Sequence, residues 1–202
     1  RAVVDSVFRR QVQVGAVTIE LSQSRRFPVS IVGLVERPGV VEGSGVERVS
    51  ELINKAGGLA EGASMRNIYV VQASELSPLE MAQVRRGLQD DSLVERLADR
   101  SKRVDLSLYE VTGESSLNPF LIDGDVVIVP SRRFILRAME AVRRSDTYEY
   151  VAGDRLSDLV ALAMGPAAHY DGSKAFLLRY TEGGTQQVRI GVDLDAAIAG
   201  AS

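Results

Sequence analysis

Residues 107 positions apart in this chain repeat one another in one gapless register. Val35 is matched by Val142, Arg37 by Arg144, Arg48 by Arg155, Ser50 by Ser157 and Leu52 by Leu159. Ala56 is matched by Ala163, Gly58 by Gly165, and Tyr69-Val70-Val71 by Phe176-Leu177-Leu178. Single matches of this kind are cheap. A helix, its glycine stop and the strand after it recurring together are not. Two copies do not make a solenoid, which needs at least three stacked units. They make a duplicated domain, and 202 residues give each copy room for a small one.

The first copy reads clearly. Val29, Ile31 and Val35 lie at odd positions and share one strand face. Pro38-Gly39 makes a turn, because Pro fixes φ and Gly accepts positive φ. Val40-Val41 returns as the second strand of a hairpin. Val46, Val49, Leu52, Ile53 and Ala56 then fall on one helix face, with Ser44 as N-cap and Gly57-Gly58 as the stop. Residues 67–72 read as a strand. Ser77-Pro78-Leu79-Glu80 and Ser92-Leu93-Val94-Glu95 each have the form of a capping box. They predict two short helices near 78–88 and 92–101, charged enough to lie on the surface. Strand character returns over 103–108. Asp123-Gly124-Asp125 is a turn, and Val126–Val129 is a buried strand closed by Pro130.

In the second copy, Leu156, Leu159, Val160 and Ala163 form the helix face, with Asp154 as N-cap and Gly165-Pro166 as the stop. Before both copies, Val12, Val14, Val17, Ile19 and Leu21 alternate as one or two strands broken at Gly15. A hairpin, a helix and further strands in a unit of this size predict an α+β domain with a helix across a mixed sheet, the β-grasp plan.

Charge excludes one class of function. Net charge is −3, and the short clusters Arg9-Arg10, Arg25-Arg26, Arg132-Arg133 and Arg143-Arg144 are flanked by apolar or acidic residues. They read as solvated strand ends, not as the concentrated positive face that nucleic acid requires. There is no Cys, so no disulfide and no thiolate metal site. No apolar run approaches the roughly 20 residues of a membrane span. The sequence starts at Arg1 and not at Met, which predicts an excised or processed fragment.

Several of these segments resemble one known family. Val29-x-Ile31-x-Gly33-x-Val35-x-x-Pro38-Gly39 resembles the first hairpin of the soluble-ligand-binding β-grasp (SLBB) domain. Ala56-Gly57-Gly58-Leu59 followed by Arg66-Asn67-Ile68-Tyr69-Val70 is similar to its middle. Val104-Asp105-Leu106 and Leu121-x-Asp123-Gly124-Asp125-Val126-Val127-x-Val129-Pro130 are similar to its end. The second copy departs from the pattern: Glu140 replaces Gly33, and Ser145-Asp146 replaces Pro38-Gly39. Val192-Asp193-Leu194 matches Val104-Asp105-Leu106, and no Asp-Gly-Asp strand is visible after it.

The resemblance implies two tandem β-grasp-like domains, 27–130 with a helical insertion at 77–101, and a divergent 131–202. Residues 1–26 would be an arm or the tail of a preceding domain. Tandem domains of this kind are similar to the periplasmic part of outer-membrane polysaccharide export proteins. That implies a non-catalytic module of capsule or exopolysaccharide export, in a homo-oligomeric ring. Its partners would be a polysaccharide or oligosaccharide and an inner-membrane export protein. The alternative is a small-ligand-binding β-grasp module unrelated to export.

No catalytic constellation stands out, and the expectation is no enzyme, no cofactor and no metal. His169 is the sole histidine. Asp90-Asp91 and Asp123-Gly124-Asp125 lack the spacing of a calcium loop. Gly43-Ser44-Gly45 lacks the Gly and Lys of a phosphate loop. For sugar binding, aromatic side chains with a polar handle are the best clue. Tyr148 and Tyr150 share one strand face beside Arg143 and Arg144, and these four are the candidate ligand-binding residues. The same side chains could instead pack within the sheet. Tyr109 and Phe120 are similar candidates.

Overall fold

A computed structural model describes residues 24–86, 91–181, 184 and 186–199. The 12–21 alternation and Arg9-Arg10 lie outside them. The chain is α+β: a mixed five-stranded sheet with helices, followed by two smaller hairpins. The sheet is built from β1 (Arg26–Gly33), β2 (Gly39–Ser44), β3 (Ile68–Gln72), β4 (Lys102–Val104) and β5 (Asp125–Val129). Its order is β2-β1-β5-β3-β4. Strand β5 runs parallel to β1 and antiparallel to β3, so the last strand of the unit becomes its centre.

Every residue of β5 is buried, because both faces of the sheet are covered. Val127 and Val129 meet helix α1 (Val49–Lys55) through Val49, Leu52 and Ile53, beside Phe27, Val29 and Ile31. Val126 and Ile128 point the other way, into a second cluster with Val32 and Val71. That cluster is closed by α2 (Pro78–Arg86) and α3 (Asp91–Ala98), through Val84, Leu93 and Leu97. The two insertion helices are therefore not mere surface decoration, as their charge suggests. A few apolar residues at helical spacing make them the third layer of the fold. The Ser77 capping box forms: Glu80 N donates to Ser77 Oγ and Ser77 N donates to Glu80 Oε2. The Ser77 N–H first, then the Ser77 hydroxyl and the Arg100 guanidinium, hold the Glu80 carboxyl down to about 2.

Three further expectations are corrected. The 103–108 strand is only the three residues of β4, followed by α4 (Leu106–Thr112). Asp105 is the reason: its Oδ1 accepts from Leu108 N, an N-cap that turns the chain into a helix. At α1 the N-cap is Arg48, not Ser44, and Glu51 reaches back to Arg48 N at 2.6 Å. Val46 precedes the helix and is 57% exposed, so it does not join the core.

After β5 come β6 (Ile135–Ala138) and β7 (Asp146–Glu149), a hairpin, then α5 (Leu156–Leu162). Its N-cap is Arg155 and not Asp154. A second hairpin, β8 (Phe176–Tyr180) and β9 (Gln187–Gly191), leads to α6 (Leu194–Ile198). Backbone bonds of the first unit recur here 107 residues on. Glu36 N and Arg37 N donate to the carbonyls of Gly58 and Ala56, and Arg143 N and Arg144 N to those of Gly165 and Ala163. The bridge Val35–Leu59 is matched by Val142–Pro166. Asp193 caps α6 through Ala196 N as Asp105 caps α4.

Two substitutions in this repeat leave strain: Met164, at φ 65°, stands where the first unit has Gly57, and Glu140 where it has Gly33. Gly33 has φ +91°, and a Cβ there would lie 2.1 Å from the Val129 carbonyl oxygen. Glu140, the matching residue, is held at φ 62°. L-residues other than Gly pay roughly 1–2 kcal/mol in this region. Glu140→Gly is expected to raise stability by about 1 kcal/mol, read as a higher urea midpoint at unchanged slope. A lower midpoint would show that Glu140 is not strained.

Candidate functional site

The densest group of buried polar side chains centres on Arg66, just before β3. Its Nε donates to Asp105 Oδ2 at 3.0 Å, and its two terminal nitrogens donate to Asp154 at 2.7 and 2.9 Å. One of those nitrogens also donates to the Glu149 carbonyl at 2.7 Å. The Glu149 carboxylate, at the end of β7, accepts from Ser64 Oγ, Met65 N and Asn67 Nδ2. Asp105 is 1% exposed and Arg66 2%. Burial pushes the Asp105 carboxyl up, against the opposing pull of Leu108 N–H and the Arg66 charge. Among the described residues no buried side-chain nitrogen or oxygen lacks a partner. Saturated in this way, the cluster offers nothing to a ligand. It is a joint between the five-stranded sheet and the segment carrying β7 and α5.

The four candidate residues are spread along the β6–β7 hairpin: Arg143 and Arg144 in its connecting loop, Tyr148 in β7 and Tyr150 just past it. Leu136 pairs with Tyr148, and Tyr150 N donates to the Phe134 carbonyl, so both tyrosines lie on the Phe134–Leu136 face of the hairpin. Their surroundings differ. Tyr148 is 6% exposed and packs with Ala138, Leu162 and Ala163. Its hydroxyl donates to the Arg144 carbonyl at 2.6 Å, and Arg144 Nε donates back to it at 3.3 Å. Tyr148 thus supports the hairpin from within. Arg143 is exposed, with Nε on the Pro166 carbonyl at 3.2 Å. Tyr150, 37% exposed, lies at the open end opposite the more exposed Phe134. Phe134 was not singled out from the sequence. Only the strand register shows that it flanks Tyr150.

Other features are closed to chemistry. A cleft of about 460 Å³ lies beside α1, lined among others by Arg26, Glu42, Glu47 and Lys55. Its charges are already paired, Arg26 with Glu42 at 2.9 Å and Lys55 with Glu47 at 2.5 Å. His169 is exposed. Asp125 in the Asp-Gly-Asp turn accepts from Ile122 N and Gln72, which closes the turn. Phe120 is exposed under the Arg48 guanidinium, 4.1 Å from its ring centre. No group of three metal-ligating side chains occurs among the described residues. No helix of the described residues is long and apolar enough to cross a membrane.

The first unit is thus a mixed sheet with α1 across one face and α2 and α3 across the other. A family model, the SLBB domain, matches residues 28–80, which hold β1, β2, α1, β3 and the start of α2. No curated protein matches the chain.

Proposed function

We propose that the chain is a non-catalytic binding and assembly module made of two tandem β-grasp-like domains of SLBB type, 27–130 with a helical insertion at 77–101 and a divergent 131–202. Residues 1–26 would be an arm or the tail of a preceding domain. We infer that it serves a capsule or exopolysaccharide export protein in the periplasm, as part of a homo-oligomeric ring. The observation that carries the reading is the SLBB match over 28–80, supported by the recurrence of the same backbone bonds 107 residues on. Ligand contacts would fall on Arg143, in the loop that joins β6 to β7, and on Tyr150, at the open end of the hairpin. Arg144 and Tyr148, bonded to each other, would hold the hairpin in shape between them.

Light scattering on the intact, envelope-extracted protein tests the assembly. A large ring-sized species is expected, and a strict monomer would overturn it. A saturable thermal shift with small molecules other than oligosaccharides, in a monomeric protein, would favour the ligand-binding module unrelated to export.

A further inference from the structure

The two copies of the first hairpin differ at one cross-strand pair. In the first unit Phe27 stands opposite Gly43. A Cβ on Gly43 would lie 2.9 Å from Leu52 Cδ2, 3.3 Å from Val29 Cγ2 and 3.6 Å from Phe27 Cε2. Glycine therefore lets Leu52 and Phe27 close over that corner of the sheet. Leu52 is fully buried and Phe27 is 7% exposed. In the second unit the matching pair, 107 residues on, is Phe134 and Tyr150, with Tyr150 N donating to the Phe134 carbonyl. A phenol stands where the first unit has a hydrogen. Leu159, the counterpart of Leu52, is only half-buried, and Phe134 is 65% exposed. A corner that is core in the first unit is an aromatic surface in the second.

The size of that surface limits what it can hold. An aromatic side chain offers roughly 150–250 Å². Two of them fall well short of the roughly 800 Å² that each partner gives to a standard protein interface. Ile135, the next exposed apolar residue, points to the other face of the strand. A wholly apolar small molecule needs an enclosing cavity, and the end of a two-stranded hairpin is open. A hydrated molecule with one flat apolar face needs only a shelf. A pyranose ring is such a molecule: its C–H groups stack on aromatic rings while its hydroxyls stay in water.

We propose that Phe134 and Tyr150 form a stacking shelf for the C–H face of a pyranose ring, opened when tyrosine took the place of the hairpin glycine. Tyr150 is the wedge that keeps Phe134 out of the corner, and its hydroxyl is the polar handle. The proposal rests on the ligand-binding role of Tyr150 put forward above, and adds Phe134 to it.

Nuclear magnetic resonance of the 202-residue chain tests it, with cellohexaose as the probe and sorbitol, an open-chain polyol, as the control. Saturable shifts at Phe134 and Tyr150 are expected with cellohexaose and none with sorbitol. Phe134→Ala and Tyr150→Ala should each weaken binding by about tenfold, the loss of one aromatic contact. Tyr150→Gly probes the wedge: the Phe134 ring should withdraw from a soluble paramagnetic probe that reaches it in the wild type. No binding of cellohexaose, equal shifts with sorbitol, or full affinity in Phe134→Ala would overturn the shelf. Shifts confined to the loop carrying Arg143 would overturn it and keep the ligand-binding reading. A Phe134 ring still exposed in Tyr150→Gly would overturn the wedge. A ring-sized assembly that binds no cellohexaose would leave the assembly role standing without the shelf.

Discussion

Arg66→Met is expected to lower the unfolding free energy by about 3–5 kcal/mol at neutral pH, the usual cost of removing one partner from a buried ion pair. Methionine keeps most of the length and none of the charge. It leaves Asp105 buried without its cation and frees Asp154 and the Glu149 carbonyl of their donors. The pH dependence has a definite sign. Burial already raises the Asp105 carboxyl above its ordinary 3.8, and losing Arg66 removes one of the groups that pull it down. A carboxyl raised in the folded state contributes its full stability below the unfolded value and loses it as pH rises through the folded value. The gap between the two proteins is therefore widest at neutral pH and narrows on acidification. Urea unfolding at neutral pH and near the ordinary Asp value measures it. A gap constant with pH would show that the lost packing, not the stranded carboxylate, sets the cost. Asp105→Asn in the Arg66→Met background should recover part of the loss, because Asn keeps an acceptor for Leu108 N.

The second large effect concerns the insertion helices. Leu97→Ala is expected to cost about 2–5 kcal/mol, as for other fully buried leucines. Leu97→Asp should cost more, since it also places a carboxylate between α3 and the Val71, Val126 and Ile128 face. Leu79, on α2 but exposed, is the control: Leu79→Asp should stay within about 0.5 kcal/mol. Thermal unfolding of the three variants decides it. If Leu97→Asp behaved like Leu79→Asp, the helices would be ornaments and the outer sheet face bare.

Those two experiments touch the parts of the molecule that the sequence hid. Locally dictated features were legible. Pro38-Gly39, Gly57-Gly58 and Gly165-Pro166 mark where the chain must turn, and the apolar spacing of Val49, Leu52, Ile53 and Ala56 fixes a helix face. The repeat was legible because both copies keep the helix face and the glycine after it, Gly58 and Gly165, in one register. The 103–108 segment was misread because Leu106 and Leu108 alternate like a strand, while the capping role of Asp105 outweighs the alternation. Charge on 78–98 masked the few apolar residues that matter, Val84, Leu93 and Leu97. The Arg66 joint could not be read at all. Its partners stand 39 and 88 residues away, and no local pattern links such distances. For the candidate site, sequence spacing placed Tyr148 and Tyr150 on one face. It could not show that one of them is enclosed beneath α5.

The Arg66 joint also bears on how the two parts of the molecule share load. Apolar surfaces slide over one another with little change in energy. A guanidinium does not, because its donors lie in one plane at fixed angles. Twisting the β7–α5 segment against the sheet would draw Asp154 and the Glu149 carbonyl off that plane together. The joint therefore transmits torque up to a limit and then gives way in one step, a weld and not a hinge.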